Sequence, residues 1–271
     1  MEGTFLDLLI YFLQLLVCTL GVFFACGLLV HLIARLFSRL LGRGSGFLFD
    51  VTSIVGTPVH ELGHAAMCLL FGHKITRMRL WTLHPEDGVY GFVEHSYSKR
   101  NAWAKFGNLF IGMGPLFSGL GVTVLVLWLC FPALWGEYLG HSAEMAAAGS
   151  LSFGELVSGV FLLFRGTFEA FRTDWLRSLL GLLIILSVAL HISLSPQDIR
   201  SSLGSLPLLL LILAVFTCAT FWTPARDPIF SWLTVFNLRL ISLFVLVIGF
   251  SLFWLALALL IRLVRLVISW F

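Results

Sequence analysis

The sequence predicts an all-α polytopic membrane protein of about six transmembrane helices, with a small β-hairpin after the second. Apolar residues make up 59% and charged residues 11% of the 271, at a mean hydropathy of +1.00, too little polar surface for a water-soluble domain. Charge-free runs at 8–34, 106–136, 178–197, 201–225 and 240–261 each suffice for the roughly 20 helical residues that cross a hydrocarbon core. Between the second and third spans the pattern changes from helical to β-rich and turn-punctuated.

The first span is expected at 5–32, followed by a connecting loop to 46. It begins Met1-Glu2-Gly3-Thr4 without a basic segment, and its apolar run exceeds a secretory h-region, so it is expected to be retained as a helix. The second, 47–72, carries Thr57, Pro58, His60, Glu61 and His64 in its middle. Ionisable groups at that depth are costly, and their default meaning is functional. Next, Ile75–Trp81 and Val89–Val93 flank His84-Pro85-Glu86-Asp87-Gly88, which predicts a hairpin within 74–96. The remaining spans are expected at 107–133, 176–196, 204–223 and 231–260.

Residues 152–164, bounded by Glu155 and Arg165, are too short to span and are expected as an interfacial or re-entrant helix. Arg262 to Phe271 has the composition of an interfacial anchor. The chain is expected to divide into an N-terminal helix with its loop (1–46), a membrane core (47–205) and C-terminal helices (206–271). The hairpin region holds Lys74, Arg77, Arg79, Lys99, Arg100 and Lys105, whereas 136–155 holds only acidic charges. Positive-inside reasoning puts the hairpin and both termini on the cytoplasmic side of the cell membrane, with Arg35, Arg39 and Arg43 against the rule.

Little chain remains for a soluble domain, so nucleic-acid binding and cytosolic catalysis are excluded as main functions. The five cysteines fall inside apolar runs without CxxC spacing and read as buried small hydrophobes. Chemistry concentrates in His60-Glu61-Leu62-Gly63-His64. Histidines four apart share one helical face and can share a metal, and the intervening glutamate reaches a water on that metal. Chance would supply this pattern in about one of every 150 chains of this composition. Zinc suits such imidazoles, with Glu61 as the base and a third protein ligand required. By spacing, His191 is one candidate for that ligand; Asp50 lies nearly three turns from the pair, too far to ligate. His31, His73, His84 and His141 read as interface or loop residues.

His60-Glu61-Leu62-Gly63-His64-Ala65, then Leu70-Phe71-Gly72-His73-Lys74-Ile75, Gly91-Phe92-Val93 and Gly114-Pro115-Leu116 together resemble the intramembrane zinc metalloproteases of the site-2 protease family, over about 47–205. The resemblance implies an HExxH helix, a short hairpin, a Gly-Pro helix and an aspartate ligand from a later helix. Ser118 stands where the family has asparagine. Ser195-Pro196-Gln197-Asp198-Ile199 keeps the family's proline and aspartate without its Leu-Asp-Gly setting. Asp198 is thus the implied third ligand, with His191 its rival.

His95, Val93 and Asn108 are candidates for contact with substrate, and Pro115 is expected to unwind its helix and expose carbonyls near the metal. Glycines 112, 114, 119 and 121 are expected to serve close helix packing. The implied activity is zinc-dependent hydrolysis of a peptide bond in a membrane-protein or peptide substrate at the bilayer, with an extended substrate added to the hairpin edge. The competing class, a zinc transporter or scaffold without proteolysis, requires a polar path across the bilayer, and the spans are almost free of ionisable groups outside 60–64 and 191–198.

Overall fold

The computed structural model describes residues 4–42, 45–83, 85, 88–148 and 152–268. The fold is predominantly helical, with one two-stranded antiparallel sheet. Phe5–Leu16 (α1), a π turn at Val17–Gly21 and Val22–Leu41 (α2) run as one apolar helix of 37 residues. Thr4 and Asp7 start it with a reciprocal capping box. Ser45–Leu70 (α3) leads into strands Lys74–Arg79 (β1) and Phe92–Ser96 (β2), followed by Ala102–Cys130 (α4), Pro132–Ala148 (α5) and Phe153–Thr173 (α6). Trp175–His191 (α7), Pro196–Leu203 (α8), Leu206–Thr220 (α9) and Arg226–Ile268 (α10) complete the chain.

Among the described residues three helices are long and apolar enough to cross a membrane: Phe5–Leu41, α4 and α10. They become four if α7 and α8, bent by 61°, form one broken span. Their outward faces expose large side chains such as Leu28, Leu125, Leu252 and Leu259, a surface suited to hydrocarbon. The expected count of six is not reached on length and composition. α3 is long enough, but Asp50, Thr52, Ser53, Thr57, His60, Glu61 and His64 dilute its apolar character, and α9 has 15 residues.

Other boundaries also move. The loop expected after residue 32 is helical to Leu41, taking Arg35 and Arg39 into α2; Arg43 lies outside the described residues. The short helix expected at 152–164 continues to Thr173. A Ser152–Glu155 capping box starts it, and its charged half is held by Arg165, which pairs with Glu137 of α5 at 2.5 Å and Glu169 at 3.8 Å. α10 runs through Arg262 and Arg265 to Ile268, and the rest of the expected anchor, 269–271, is not described.

The hairpin forms, with strands shifted from 75–81 and 89–93. Register pairs Met78 with Val93 and Ile75 with His95, with an irregularity between Ile75 and Arg77. Leu80, Trp81 and residues 89–91 lie outside the paired strands, and their two aromatic side chains are engaged elsewhere: Trp81 Nε1 donates to Ser53 Oγ at 2.8 Å and Tyr90 OH to Asp50 Oδ1 at 2.8 Å. The turn residues His84, Glu86 and Asp87 lie outside the described residues. Arg77 and Arg79 cover the Phe92 ring at 5.5 and 4.9 Å, fixing one face of β2.

One continuous core joins α2, α4, α7 and α10 through Phe37, Leu116, Leu127, Ile185 and Phe244. Polar bonds add register: Trp254 Nε1 of α10 donates to the Leu186 carbonyl at 2.8 Å and Ser251 Oγ to the Ala189 carbonyl at 3.3 Å. A smaller cluster of Tyr11, Leu15, Leu213 and Phe221 joins α1 to α9.

α3 packs chiefly on α4 and α7. The α3–α4 crossing is closest at Gly63 and Gly114, where a methyl on Gly114 would come within 2.6 Å of the Gly63 carbonyl carbon. Only glycine permits this backbone contact, the small-residue mode of membrane helix packing. Gly114→Val is therefore expected to cost about 1–3 kcal/mol by overpacking. Gly121, whose added Cβ meets nothing within 4 Å, tolerates alanine. Thermal unfolding of the two purified variants in detergent checks the contrast.

Candidate functional site

His60 and His64 lie one turn apart on α3, and their Nε2 atoms are 3.2 Å from each other. Asp198 of α8 brings Oδ1 to 3.3 Å from His64 Nε2 and Oδ2 to 3.9 Å from His60 Nε2. On the far side of each ring, His60 Nδ1 donates to the His191 carbonyl at 2.8 Å and His64 Nδ1 to the Ile111 carbonyl at 2.7 Å. A carbonyl only accepts, so each ring keeps a proton on Nδ1 and, when neutral, presents the Nε2 lone pair inward. Two lone pairs and a carboxylate therefore face one point. Such a set of acceptors repels itself until a cation joins it, and His60, His64 and Asp198 form a group that could hold a metal ion.

The local sequence explains each orienting carbonyl. Pro115 has no N–H, so the Ile111 carbonyl four residues earlier loses its donor within α4. His64 supplies the missing donor. The expected unwinding does not occur: α4 is α-helical from Ala102 to Cys130, and the carbonyl is freed without it. α7 ends at His191, and the N–H of Ser195, which would continue the ladder to His191, instead donates to Asp198 Oδ2 at 2.7 Å. The His191 carbonyl is left for His60.

That same bond is half of a capping box, with Asp198 N donating to Ser195 Oγ at 3.1 Å and Pro196 in the first turn. One carboxylate oxygen thus anchors α8 while the other faces His64. α8 reaches this position across Gly112, where a methyl would overlap the Asp198 carbonyl oxygen and the Ser202 hydroxyl.

Glu61 is buried to 6% exposure and opens on a cavity of about 670 Å³ that it shares with His60, His64, Val93, His95 and Asp198. Gly91 lies against it; an added methyl would be 2.8 Å from Glu61 Cγ and from the Leu80 carbonyl oxygen. The neighbouring Tyr90 is held by Asp50, and burial together with that hydrogen bond pushes its phenol up to about 12, keeping it a donor. A larger cavity, about 710 Å³, lies among α1, α4, α9 and α10. Leu, Phe and Ile side chains dominate its wall, and no carboxylate or imidazole lines it.

The sequence-derived candidates separate accordingly. His60, Glu61, His64, Asp198, Val93 and His95 meet at one cavity. Asn108 does not line it, and its amide donates to the Lys105 carbonyl of its own helix at 3.5 Å. The His191 ring is outside the metal-ligand group: the 61° break before Pro196 ends the helical phase that would align it with Asp198. Its Nδ1 donates to the Ser187 carbonyl at 3.0 Å, and its contribution to the site is its backbone oxygen.

His95 meets His73, with Nδ1 atoms 2.9 Å apart. Burial first, then His73 and His64, push its pKa down from the ordinary histidine value. Sequence reading passed over the Ile111 and His191 carbonyls and the burial of His73. Pro115, four residues after Ile111, was the available signal for the first.

Compared with protein-family models, curated proteins and solved structures, the chain matches none.

Restoring the helix donor tests the orienting bond. Pro115→Ala returns an N–H to the Ile111 carbonyl and competes with His64, and is expected to lower metal affinity about 10–100-fold, as loss of an outer-shell partner does. The helix itself remains intact. Titration against a chelator measures the affinity, and circular dichroism the helix.

Proposed function

We propose that this chain is an intramembrane zinc-dependent endopeptidase of the site-2 protease type, acting on a membrane-associated protein. The observation that carries this reading is the convergence of His60 Nε2, His64 Nε2 and the Asp198 carboxylate beside Glu61 in one cavity. The donor set is the two-histidine, one-carboxylate type that catalytic zinc takes, leaving a further position for water. Two nitrogens about 2.0–2.1 Å from one tetrahedral zinc stand roughly 3.3–3.4 Å apart, and here the separation is 3.2 Å. Bound zinc would supply a Lewis acid that brings its water to a pKa of about 7 and polarises the scissile carbonyl.

The chain's own residues divide the remaining work. His191 and Ile111 hold the imidazoles through their carbonyls, so the ligands need no reorientation. Glu61, adjacent to His60 in sequence and free of the ligand set, takes a proton from the attacking water and delivers it to the leaving amine nitrogen. Peptide carbonyls inside a helix are already hydrogen-bonded, so the scissile segment has to be extended, and an edge of β2 near Val93 offers it backbone partners. His95 adds an imidazole to the cavity wall. On this reading the chain makes six spans, α3 and α9 included, with the basic hairpin side and both termini cytoplasmic.

Glu61→Gln separates catalysis from metal binding. The variant is expected to keep zinc while cleavage falls by about 10²–10⁴-fold, the usual worth of a positioned base. Elemental analysis reads the metal, and comparison of membrane-protein fragments between cells carrying each form reads the cleavage. If fragment profiles are identical, the protein is a non-proteolytic metal binder instead.

Three further variants test the third ligand. Asp198→Ala is expected to lose zinc and activity, and Asp198→Asn to retain zinc weakly, since it keeps an oxygen donor without the charge. His191→Ala should keep zinc because the backbone carbonyl that bonds His60 remains. Zinc content of each, with folding checked by size-exclusion elution, decides the assignment; metal lost from His191→Ala and kept in both Asp198 variants would overturn it.

A further inference from the structure

A second cluster of metal-ligating side chains lies where α3 hands over to the sheet. α3 ends in a Schellman-type reversal: Gly72 adopts φ +70°, its N–H donates to the Leu69 carbonyl at 3.3 Å, and the His73 N–H donates to the Cys68 carbonyl at 2.8 Å. The reversal folds residue 73 back toward residue 68. His73 is buried, and its Nε2–H donates to the Ala104 carbonyl of α4 at 2.8 Å. That bond fixes the tautomer and leaves a lone pair on Nδ1, directed at His95 of β2. Cys68, fully buried with a free thiol, completes a group whose ligand atoms lie within 4.8 Å of one another.

A hydrogen bond from His95 to His73 explains the two rings alone. It does not explain why a buried thiol from a third segment joins them, nor why the far nitrogen of His73 is locked to a carbonyl, the arrangement that orients a metal-binding imidazole.

We propose that Cys68, His73 and His95 form a second zinc site, separate from His60, His64 and Asp198. One thiolate and two neutral imidazoles suit zinc, with water in the fourth position. Binding releases the Cys68 thiol proton to solvent as the sulfur–metal bond forms. The ion would tie the end of α3, its cap and β2 together, and so fix the strand that walls the cavity. His95 then serves as a ligand that holds β2 rather than as a contact to substrate. The proposal stands whether or not the chain is a protease.

Cobalt distinguishes the two sites, because Cys68 is the one sulfur ligand between them and gives sulfur-to-cobalt charge-transfer absorption in the near ultraviolet, whereas histidine and aspartate ligands cannot. Full-length protein loaded with Co²⁺ is expected to show this band in the wild type and also in the His60→Ala, His64→Ala double variant. The band should vanish in Cys68→Ser, and added Zn²⁺ should displace it wherever it appears. Should Cys68→Ser fail to fold, His95→Ala on the half-exposed strand provides the second probe and should weaken cobalt binding at least tenfold. Absence of the band in the folded double variant, or its persistence in Cys68→Ser, would overturn the proposal.

Discussion

Backbone carbonyls that have lost their helical donors govern this structure. In apolar surroundings an unpaired carbonyl is expensive, so the chain supplies another donor. Pro115 creates the vacancy at Ile111, and the end of α7 creates the one at His191. In each case the replacement donor is an imidazole of α3. Satisfying the backbone therefore fixes the direction of the inward-facing nitrogens. The same bonds that repair two helices create the inward-facing lone pairs, so the site's pre-organisation comes from the fold's own hydrogen-bond accounting.

Helix proximity makes that exchange geometrically available. Gly63 against Gly114 brings α3 onto α4, close enough for a ring on one helix to reach a carbonyl on the other. Gly112 does the same for α8, delivering Asp198 at the height of the two histidines. Asp198 also closes the capping box of its own helix, so its carboxylate stays ordered by a bond unrelated to any ion. α10 supports the arrangement from behind, through Trp254 and Ser251 on the carbonyls of α7.

Much of the site was legible because its chemistry is local in sequence. The four-residue spacing of His60 and His64 needs only a helix to become a shared face. The β-rich runs around 84–88 announce a hairpin, whereas Ser195 and Pro196, which start α8, fall at the end of the expected span 176–196 and are not read from the sequence as a helix start. Less legible were features decided by distant partners. Trp81 and Tyr90 look like strand residues, yet Ser53 and Asp50 hold them off the sheet. His191 has the right spacing for a ligand, but the break in the helix turns its carbonyl, rather than its ring, to the site. The count of six spans is not reproduced by length and composition for a related reason: the side chains that build the site remove α3 from the set of strongly apolar helices. His73 gave no signal at all, since its burial arises from a glycine reversal and a carbonyl thirty-one residues downstream.

α10 also acts as a depth gauge. Its 43 residues extend about 64 Å, roughly twice a hydrocarbon core, so no ordinary tilt could hide the whole helix in lipid. The charge-free stretch between Arg239 and Arg262 has the length that does fit, about 33 Å. With that stretch in the hydrocarbon, Ser251 is near its midpoint and lies level with Ala189, to whose carbonyl it donates. The carbonyl that steers His60 belongs to the second residue beyond Ala189, about 3 Å further along the rise of α7. With α10 so placed, the two imidazoles would lie near the middle of the hydrocarbon, where any water reaching them would have to come through the cavity they line rather than from the surrounding lipid.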